Sequence, residues 1–338
     1  MKILVTGSQG YIGTILANCL AEKGYDVIGL DTGYYKDCNI IEPTSEIHTI
    51  EKDIRDVTPE DLKSVDAVLH LSALSNDPLG FLNAKLTMDI NFEASIRLAS
   101  IAKQVGVKKF ILASSCSGYG INNTGIVDEN SSLNPLTAYA KSKALAEQEI
   151  SKLSSRSFTT VFFRSATVYG FASRLRFDLV VNNLVGVSIA TGKILVKSDG
   201  TPWRPVIHIE DDCSAFLLAI EADDDSVNNK IYNVGSTDEN YQIKDIANTI
   251  KKHVNCDIEF QNQDIDNRSY RVNCGKIKKE LKFKTEWSLD EGIKDLVKNF
   301  KGIELDFDKF NSRKYTRVKQ IKHLIETNKL DQQLRWVN

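Results

Sequence analysis

The chain has 338 residues, of which 42% are hydrophobic and 26% are charged, so it is long enough to bury a large core in one α/β domain or in two lobes. Its formal net charge of −2 and its lack of a long apolar run predict no binding to nucleic acid, no transmembrane helix and no signal peptide. Its six cysteines have neither CxxC pairs nor metal-ligand spacing, which predicts reduced thiols in a cytoplasmic protein without a metal site.

The N-terminus has the pattern of a nucleotide-binding strand, turn and helix. Residues 2–6 are a short apolar run that predicts a strand buried on both faces, and residues 15–23 have a helical pattern. Three glycines lie between them, and this spacing permits a tight turn, close approach to a pyrophosphate and close helix–strand packing. The free N–H groups at the N-terminus of this helix would favour binding of the pyrophosphate anion. The predicted cofactor-binding residues of this turn are Gly7, Gly10, Tyr11, Ile12 and Gly13.

An acid follows the second predicted strand, residues 26–30. Asp31 can bind both hydroxyls of an adenosine ribose and would repel the 2′-phosphate of NADP, and no Arg or Lys follows within four positions. The pattern therefore predicts NAD as the cofactor. Asp53 follows another short strand and can face the adenine, although a solvated loop acid is an open alternative.

Strands and helices continue to alternate through the first half of the chain. Residues 65–71 and 109–114 are predicted strands, and residues 94–105 are a predicted helix. Alternation of this kind indicates a parallel sheet with right-handed crossovers, in which ligands bind at the carboxyl ends of the strands. Ser114 and Ser115 lie at one such end.

A tyrosine and a lysine lie four residues apart in a predicted helix, residues 136–150. This spacing puts Tyr139 and Lys143 on one helix face, where the ammonium favours the phenolate form of the tyrosine. Ser115 could share the proton of a substrate hydroxyl with Tyr139. The pair alone is more typical of an ordinary surface helix, but the glycine turn upstream favours a catalytic role.

Together these segments resemble the extended short-chain dehydrogenase/reductase family, in its NAD-dependent nucleotide-sugar epimerase/dehydratase branch. The resemblance covers roughly residues 1–300. It rests on residues 5–13, 31, 53–56, 70–73, 91, 114–120, 139–143, 163–170 and 204–211.

The resemblance implies an α/β fold with a Rossmann-type doubly wound parallel sheet and a smaller C-terminal α/β lobe that binds the substrate. Residues 1–170 would form the NAD-binding domain, completed by strand and helix returns from the C-terminal half. Residues 171–300 would form the nucleotide-sugar lobe, and residues 301–338 a helical C-terminal extension. The family also implies a homodimer.

Residue roles follow from the same resemblance. Ser115 and Tyr139 would handle the proton, and Lys143 would bind the nicotinamide ribose. The further cofactor-binding residues would be Asp53, Ile54, Leu71, Ala73, Asn91 and Ser114. The substrate-binding residues would be Ser115, Thr167, Arg174, Asn182, Arg204 and Arg268.

Departures from the family pattern reduce the number of reactions that the chain is expected to catalyse. The sugar 4,6-dehydratases carry an acidic pair directly after the catalytic Ser or Thr, whereas this chain has Cys116 and Ser117 there. Neither can serve as the acid–base couple of that elimination. Thr167 stands where the family carries an Asn that contacts the substrate phosphate.

The second half adds arginines suited to phosphate oxygens. Arg174 and Arg176 lie in a predicted entrance loop, and Arg204 precedes the predicted strand 206–209, where the family pairs an Arg with the sugar diphosphate. Residues 267–271 resemble the family's later arginine segment that closes over the same diphosphate.

Two other features favour structural roles. His70 and His208 lie inside apolar strands, which predicts core histidines with satisfied hydrogen bonds rather than metal ligands or bases. In the C-terminal extension, four apolar residues spaced three and four apart predict a helix packed on the parent domain, with partner binding as a weaker alternative. They are Val318, Ile321, Leu324 and Ile325.

The leading hypothesis is an NAD-dependent epimerase of a nucleoside-diphosphate sugar that acts by transient oxidation at C4. A one-way nucleotide-sugar dehydrogenase or 4-ketoreductase would use the same residues. A non-catalytic NAD-sensing protein is a third alternative, which the intact Ser115, Tyr139 and Lys143 disfavour.

Overall fold

The protein is described here by a computed structural model, which covers residues 1–42, 47–75, 83–261 and 268–337. The strands of these residues are β1 (Lys2–Thr6), β2 (Asp26–Asp31), β3 (Thr49–Glu51), β4 (Ala67–His70), β5 (Lys109–Ser115), β6 (Ile121–Val127), β7 (Thr159–Ser165), β8 (Thr167–Tyr169), β9 (Lys193–Val196), β10 (Trp203–His208), β11 (Lys230–Val234), β12 (Asn240–Gln242), β13 (Asp257–Phe260) and β14 (Ser269–Val272). The helices are α1 (Tyr11–Glu22), α2 (Ala84–Met88), α3 (Ala94–Gln104), α4 (Ala138–Ser151), α5 (Val180–Thr191), α6 (Ile209–Glu221), α7 (Asp224–Val227), α8 (Ile243–His253), α9 (Gly275–Glu280), α10 (Leu289–Gly302), α11 (Phe307–Asn311) and α12 (Arg317–Glu326), and a π-helical turn joins α2 to α3.

Seven parallel strands form the central sheet, in the order β3-β2-β1-β4-β5-β7-β11. The chain begins in the middle at β1, runs outward through β2 and β3, and then returns to build the other half from β4. This reversal of strand order opens a crevice at the carboxyl ends of β1 and β4, where ligands of such sheets bind. The predicted α/β, Rossmann-type doubly wound sheet is confirmed.

Alternate residues of the central strands pack on opposite faces of the sheet. In β1, Ile3 and Val5 join a core cluster that includes Phe216 of α6, whereas Leu4 joins a second cluster that includes Leu98 of α3. All of these side chains are fully buried. The side chains of the apolar run at the N-terminus therefore pack against helices on both faces of the sheet. This is why apolar and polar residues do not alternate along this strand.

A third core cluster belongs to the second half of the chain. It packs α5, α8 and α10 around β9 and the short sheet β8-β10-β12. The chain also returns to the first half, because β11 is an edge strand of the central sheet. The division into lobes near residues 170 and 300 stays a prediction.

The C-terminal extension packs against the nucleotide-binding half. Ile321 and Leu324 of α12 are buried in the same cluster as Leu4 and Leu98, and Val318 and Ile325 pack beside them. The predicted apolar stripe is therefore confirmed as a packing surface for the parent domain.

No helix among the described residues combines the length and the apolar character needed to cross a membrane.

Candidate active site

The glycine turn leaves room for a ligand at the start of α1. Gly7 has a φ of +72°, and the backbone N–H of Gly10 donates to the Gly7 carbonyl at 2.9 Å. A Cβ on Gly13 would lie 2.0 Å from that carbonyl oxygen, so no other residue fits there. Gly10 also caps α1 without a side chain, which leaves the N-terminal N–H groups directed at the crevice.

A cavity of about 950 Å³ extends from this turn across the carboxyl ends of β1, β2, β4 and β5 to the second half of the chain. Its size is at the upper end of small-molecule sites, which span about 300–1,000 Å³. The predicted site residues that line it are Gly7, Gly10, Tyr11, Ile12, Gly13, Asp31, Asp53, Ile54, Leu71, Ala73, Ser114, Ser115, Tyr139, Lys143, Thr167, Arg204 and Arg268.

Asp31 stands at the end of β2 beside the glycine turn. Its two carboxylate oxygens accept the backbone N–H groups of Gly33 at 2.9 Å and of Gln9 at 3.1 Å. Burial raises the pKa of this carboxyl, and the two N–H donors partly offset that rise. The carboxylate is thus fixed in orientation and faces the cavity.

Asp53 lies farther along the same side and is held by Arg55. It accepts the backbone N–H of Arg55 at 2.8 Å and two guanidinium N–H groups at 3.0 and 2.7 Å, and Arg335 lies 3.2 Å away. Burial opposes its ionisation, but the hydrogen bonds from Arg55 lower its pKa below the ordinary value. Asp53 is therefore a paired carboxylate and not a solvated loop acid.

Tyr139 and Lys143 lie on one face of α4, which begins where the Thr137 hydroxyl accepts the backbone N–H of Ala140 at 3.1 Å. The Lys143 ammonium donates to the Ala113 carbonyl of β5 at 2.8 Å. Burial lowers the pKa of Lys143 to about 8, partly offset by the Glu147 carboxylate. The contact fixes α4 against the strand that ends in Ser115.

Ser115 ends β5 and faces the same cavity. Its hydroxyl oxygen accepts the backbone N–H of Ser117 at 3.1 Å, and a hydroxyl that accepts one hydrogen bond can still donate its proton. Ser115, Tyr139 and Lys143 thus line one cavity together with the glycine turn.

A buried ion pair supports this end of the sheet. The Arg164 guanidinium donates to Glu147 at 2.7, 3.0 and 3.2 Å and to the Tyr119 hydroxyl at 3.0 Å. The Ser114 hydroxyl donates to the same Glu147. Ser114 lines the cavity while its hydroxyl takes part in this network, and its cofactor-binding role stays a prediction.

Three predicted ligands lie behind the cavity wall. Asn91 bonds the backbone of Leu74, and Asn182 accepts the N–H of Gly170 at 3.0 Å. Arg174 donates to Asn39 and to the Gln9 carbonyl. None of the three lines the cavity. Their polar groups bond buried backbone and side-chain partners, and the cofactor role of Asn91 and the substrate roles of Asn182 and Arg174 stay predictions.

Two of the predicted substrate arginines lie side by side. The Arg204 guanidinium donates to the Trp203 carbonyl at 2.9 Å and to the Arg268 carbonyl. Both line the cavity, as does Thr167 on the neighbouring strand β8. Residue 267, in the same predicted segment, lies outside the described residues.

Sequence reasoning missed two further arginines of the cavity wall. Arg176 was noted only as a residue of the entrance loop, and Arg317 lies in the C-terminal extension. Arg317 follows the segment that resembles the family, so no motif marks it.

The two core histidines are neutral groups. The ring nitrogens of His70 lie 2.7 Å from the hydroxyls of Thr6 and Ser95, and burial lowers its pKa to about 3 with the help of the Lys143 charge. Burial lowers the pKa of His208 to about 4, and its ring stacks on Trp287 at 4.1 Å. His70 is satisfied as predicted, whereas Nε2 of His208 has no hydrogen-bond partner among the described residues. The described residues contain no cluster of three or more metal-binding side chains.

The comparison with protein families decides the identity. A model described as the NAD dependent epimerase/dehydratase family matches residues 3–235. The chain belongs to this family. It is an enzyme, and its cofactor is NAD.

The proteins that this chain resembles differ in the activities that their names state. A putative UDP-glucose 4-epimerase of Methanocaldococcus jannaschii is 30% identical over 308 residues, which are 87% of this chain and 97% of that protein. The structure of MoeE5 in complex with UDP-glucuronic acid and NAD has a TM-score of 0.79 at 24% identity and covers 89% of this chain and 99% of its own. The NAD-dependent NDP-hexosamine 5,6-dehydratase TunA has a TM-score of 0.79 at 23% identity and covers 89% and 98%.

The site fits NAD on observations of this structure. The glycine turn forms a cradle that a Cβ would fill, and Asp31 is fixed at the end of β2 at the distance along the chain expected for the adenosine ribose. The glycine turn would hold the diphosphate, and Asp31 would hold the ribose.

We expect the protein to bind NAD at least about tenfold more tightly than NADP, because the fixed Asp31 carboxylate would repel a 2′-phosphate. Calorimetric titration with both dinucleotides measures the difference. In Asp31→Ser the preference should shrink, since the repelling charge is gone. Equal affinities in the wild type would mean that Asp31 does not face the ribose.

Proposed function

We propose that the enzyme is an NAD-dependent epimerase of a nucleoside-diphosphate sugar and that it inverts the carbon at C4. NAD supplies, when bound, the acceptor and the donor of the hydride. The protein's own residues would bind the sugar nucleotide, orient its C4 hydroxyl and move that hydroxyl's proton.

One observation carries the proposal. Ser115, Tyr139 and Lys143 line the same cavity as both the glycine turn and the Arg204–Arg268 pair. A proton-handling group therefore shares one cavity with a dinucleotide cradle and with guanidinium donors suited to a second diphosphate. A substrate that spans the cavity would carry its reacting hydroxyl beside Tyr139.

In this reaction Tyr139 would take the proton of the C4 hydroxyl, and Ser115 would share it through a short hydrogen bond. The buried Lys143 ammonium would stabilise the phenolate. After the keto sugar has turned in the pocket and presents the other face of C4 for reduction, Tyr139 would return the proton to the C4 oxygen.

Epimerisation is proposed in preference to dehydration because the chain lacks the acid–base couple that a sugar dehydratase needs. Cys116 and Ser117 follow the catalytic serine, and burial raises the pKa of the Cys116 thiol well above its ordinary value. Neither residue can supply the acid–base couple of a sugar dehydratase. The 30% identity to a putative UDP-glucose 4-epimerase also supports epimerisation, and Asp31 disfavours an NADPH-fed 4-ketoreductase.

The substrate class is tested at Arg204. We expect Arg204→Ala to raise the KM for the nucleotide sugar at least about tenfold, because it removes a charge-assisted bond to the diphosphate worth about 1.5–3 kcal/mol. The affinity for NAD should stay near the wild-type value. Steady-state kinetics with UDP-glucose first, and then other nucleotide sugars, measures the effect.

The control is Arg204→Lys, which should recover only part of the loss because an ammonium cannot make the two-pronged contact. Free sugars should be poor substrates of the wild type. Equal turnover of free glucose and UDP-glucose, with an unchanged KM in Arg204→Ala, would replace the proposal by a simpler alcohol dehydrogenase.

A homodimer and a cytoplasmic location accompany this proposal and stay predictions.

A further inference from the structure

Two arginines of the cavity wall carry unused hydrogen-bonding capacity. Arg176 and Arg317 are 6% and 2% exposed, and both line the cavity that contains the glycine turn. Nη2 of Arg176 and Nη1 of Arg317 are buried without a hydrogen-bond partner among the described residues. An unpaired buried guanidinium N–H group is costly, which points to an acceptor that binds between them.

The arginine loop lies directly against the glycine turn. Nη1 of Arg174 donates to the Gln9 carbonyl at 3.1 Å. The Asn182 amide donates to the Arg176 carbonyl at 3.1 Å and to the Tyr11 hydroxyl at 3.1 Å, so it ties the loop to the first residue of α1. The Arg176 charge also lies close enough to influence the phenols of Tyr11 and Tyr139.

Arg317 reaches the same place from the C-terminal extension. Its guanidinium lies 4.1 Å from the ring centroid of Tyr35, and its Nη2 donates to the Arg174 carbonyl at 3.2 Å. These two contacts hold the guanidinium plane in place and leave Nη1 unused. The two arginines therefore line the cavity that also contains the glycine turn.

The charges around this pair are incompletely balanced. Asp178 pairs with Arg176 at 2.8 Å. Burial and the neighbouring Arg176 cation lower the pKa of the Arg317 guanidinium, and Tyr35 and Asp178 only partly offset them. A bound anion would relieve this repulsion, and a diphosphate offers both the charge and several acceptor oxygens.

The C-terminal extension also fastens the loops at the adenosine end of the cavity. Trp336 Nε1 donates to the Thr32 carbonyl at 2.7 Å, and the Tyr34 hydroxyl donates to the Leu334 carbonyl. Arg55, which holds Asp53, donates to the Gln333 carbonyl at 2.9 Å. The loops after β2 and β3 are thus tied to the end of the chain.

We propose that Arg317, with Arg176, binds the diphosphate of NAD from the side opposite the glycine turn, and that the C-terminal extension thereby retains the cofactor between turnovers. The glycine turn and the N-terminus of α1 hold one side of the diphosphate, and the two guanidinium groups hold the other. The binding role needs only NAD as the cofactor. The benefit of retention rests on the proposed epimerisation, in which the cofactor ends each cycle in its starting state.

The test compares Arg317→Gln with Lys322→Gln, which changes an exposed residue of the same helix. Calorimetric titration of the nucleotide-free proteins with NAD, ADP-ribose, adenosine and UDP separates the contributions. In Arg317→Gln the affinities for NAD and ADP-ribose should fall at least about tenfold. The affinities for adenosine, which has no phosphate, and for UDP should stay unchanged. Lys322→Gln should match the wild type with all four ligands.

The fraction of purified protein that carries NAD, measured on the nucleotide released by acid, should fall in Arg317→Gln and stay unchanged in Lys322→Gln. Unchanged NAD affinity in Arg317→Gln overturns the inference. An equal loss for adenosine also overturns it, since the arginine would then act only through the shape of the pocket. A loss for UDP alone would assign the pair to the substrate.

A second variant decides the question if Arg317→Gln does not fold. Arg317→Lys keeps the buried charge but cannot present a guanidinium fork over Tyr35, so it should bind NAD more weakly than the wild type and adenosine equally well. Wild-type NAD affinity in this variant contradicts the role. None of these measurements needs turnover. The inference about NAD binding can therefore fail while the proposed epimerisation stands, and the proposed epimerisation can fail while the inference stands.

Discussion

Tyr139→Phe is expected to lower turnover at least about a hundredfold, the usual contribution of one general acid–base group, while the variant folds and binds NAD like the wild type. The substitution removes only the phenolic hydroxyl from a half-buried ring on the cavity wall. The ring keeps its packing on α4, and the neighbouring Lys143 keeps its bond to the Ala113 carbonyl. The loss should therefore be confined to the proton transfer.

The measurement is the initial rate of product formation with whichever nucleotide sugar the wild type converts, together with a calorimetric titration with NAD. Ser115→Ala should lose less activity, because water can partly replace its hydroxyl. Lys141→Gln serves as the matched control, since Lys141 is exposed on the same helix. Undiminished turnover in Tyr139→Phe would remove Tyr139 from the mechanism, and undiminished turnover in Ser115→Ala would remove Ser115.

The parts of this site that were predictable are those encoded over short stretches of sequence. The glycine turn, Asp31 and the Tyr139–Lys143 pair each lie within one strand–turn–helix unit or one helix face, and the cavity contains all of them. The predicted ends of helices and strands were less accurate. Helix α1 begins at Tyr11, earlier than the predicted residue 15, because Gly10 serves as its N-cap.

The sequence did not reveal which way a buried polar side chain points. Asn91 and Asn182 have the residue type of a ligand, but both bond buried backbone groups behind the cavity wall. Arg317 is the opposite case, because no sequence pattern marks it as a ligand although it lines the cavity. It lies 143 residues from its hydrogen-bond partner Arg174, so only the packing of the C-terminal extension brings it to the cavity.

The pair of Arg164 and Glu147 should dominate the stability of the active-site end of the sheet. We expect Arg164→Met to lower the free energy of unfolding by about 3–5 kcal/mol, the usual cost of breaking a buried ion pair. Both side chains are 5% exposed, and the pair closes with three contacts of 3.2 Å or less. Removal of Arg164 leaves the Glu147 carboxylate buried, and among the described residues the Ser114 hydroxyl and the Lys143 charge remain to stabilise it.

Equilibrium unfolding in urea measures the change, and helix α4 itself offers the control. Lys152 and Glu149 form an ion pair of 2.6 Å at the end of this helix, but their side chains are 60% and 34% exposed. Lys152→Met should therefore cost no more than about 1 kcal/mol. Equal losses of unfolding free energy in Arg164→Met and Lys152→Met would show that the buried pair stabilises the fold no more than the exposed pair does.

The double variant Arg164→Met/Glu147→Leu separates the pair's own contribution from the penalty of an unpaired charge. It should recover much of the stability lost in Arg164→Met, because no charge is then left buried without a partner. Its turnover should still fall below that of the wild type, since Ser114 loses its acceptor next to Ser115 and Lys143 loses a carboxylate that favours its ammonium form. A double variant with wild-type turnover would mean that the network supports the fold alone, and that Ser115 and Lys143 are held in place without it.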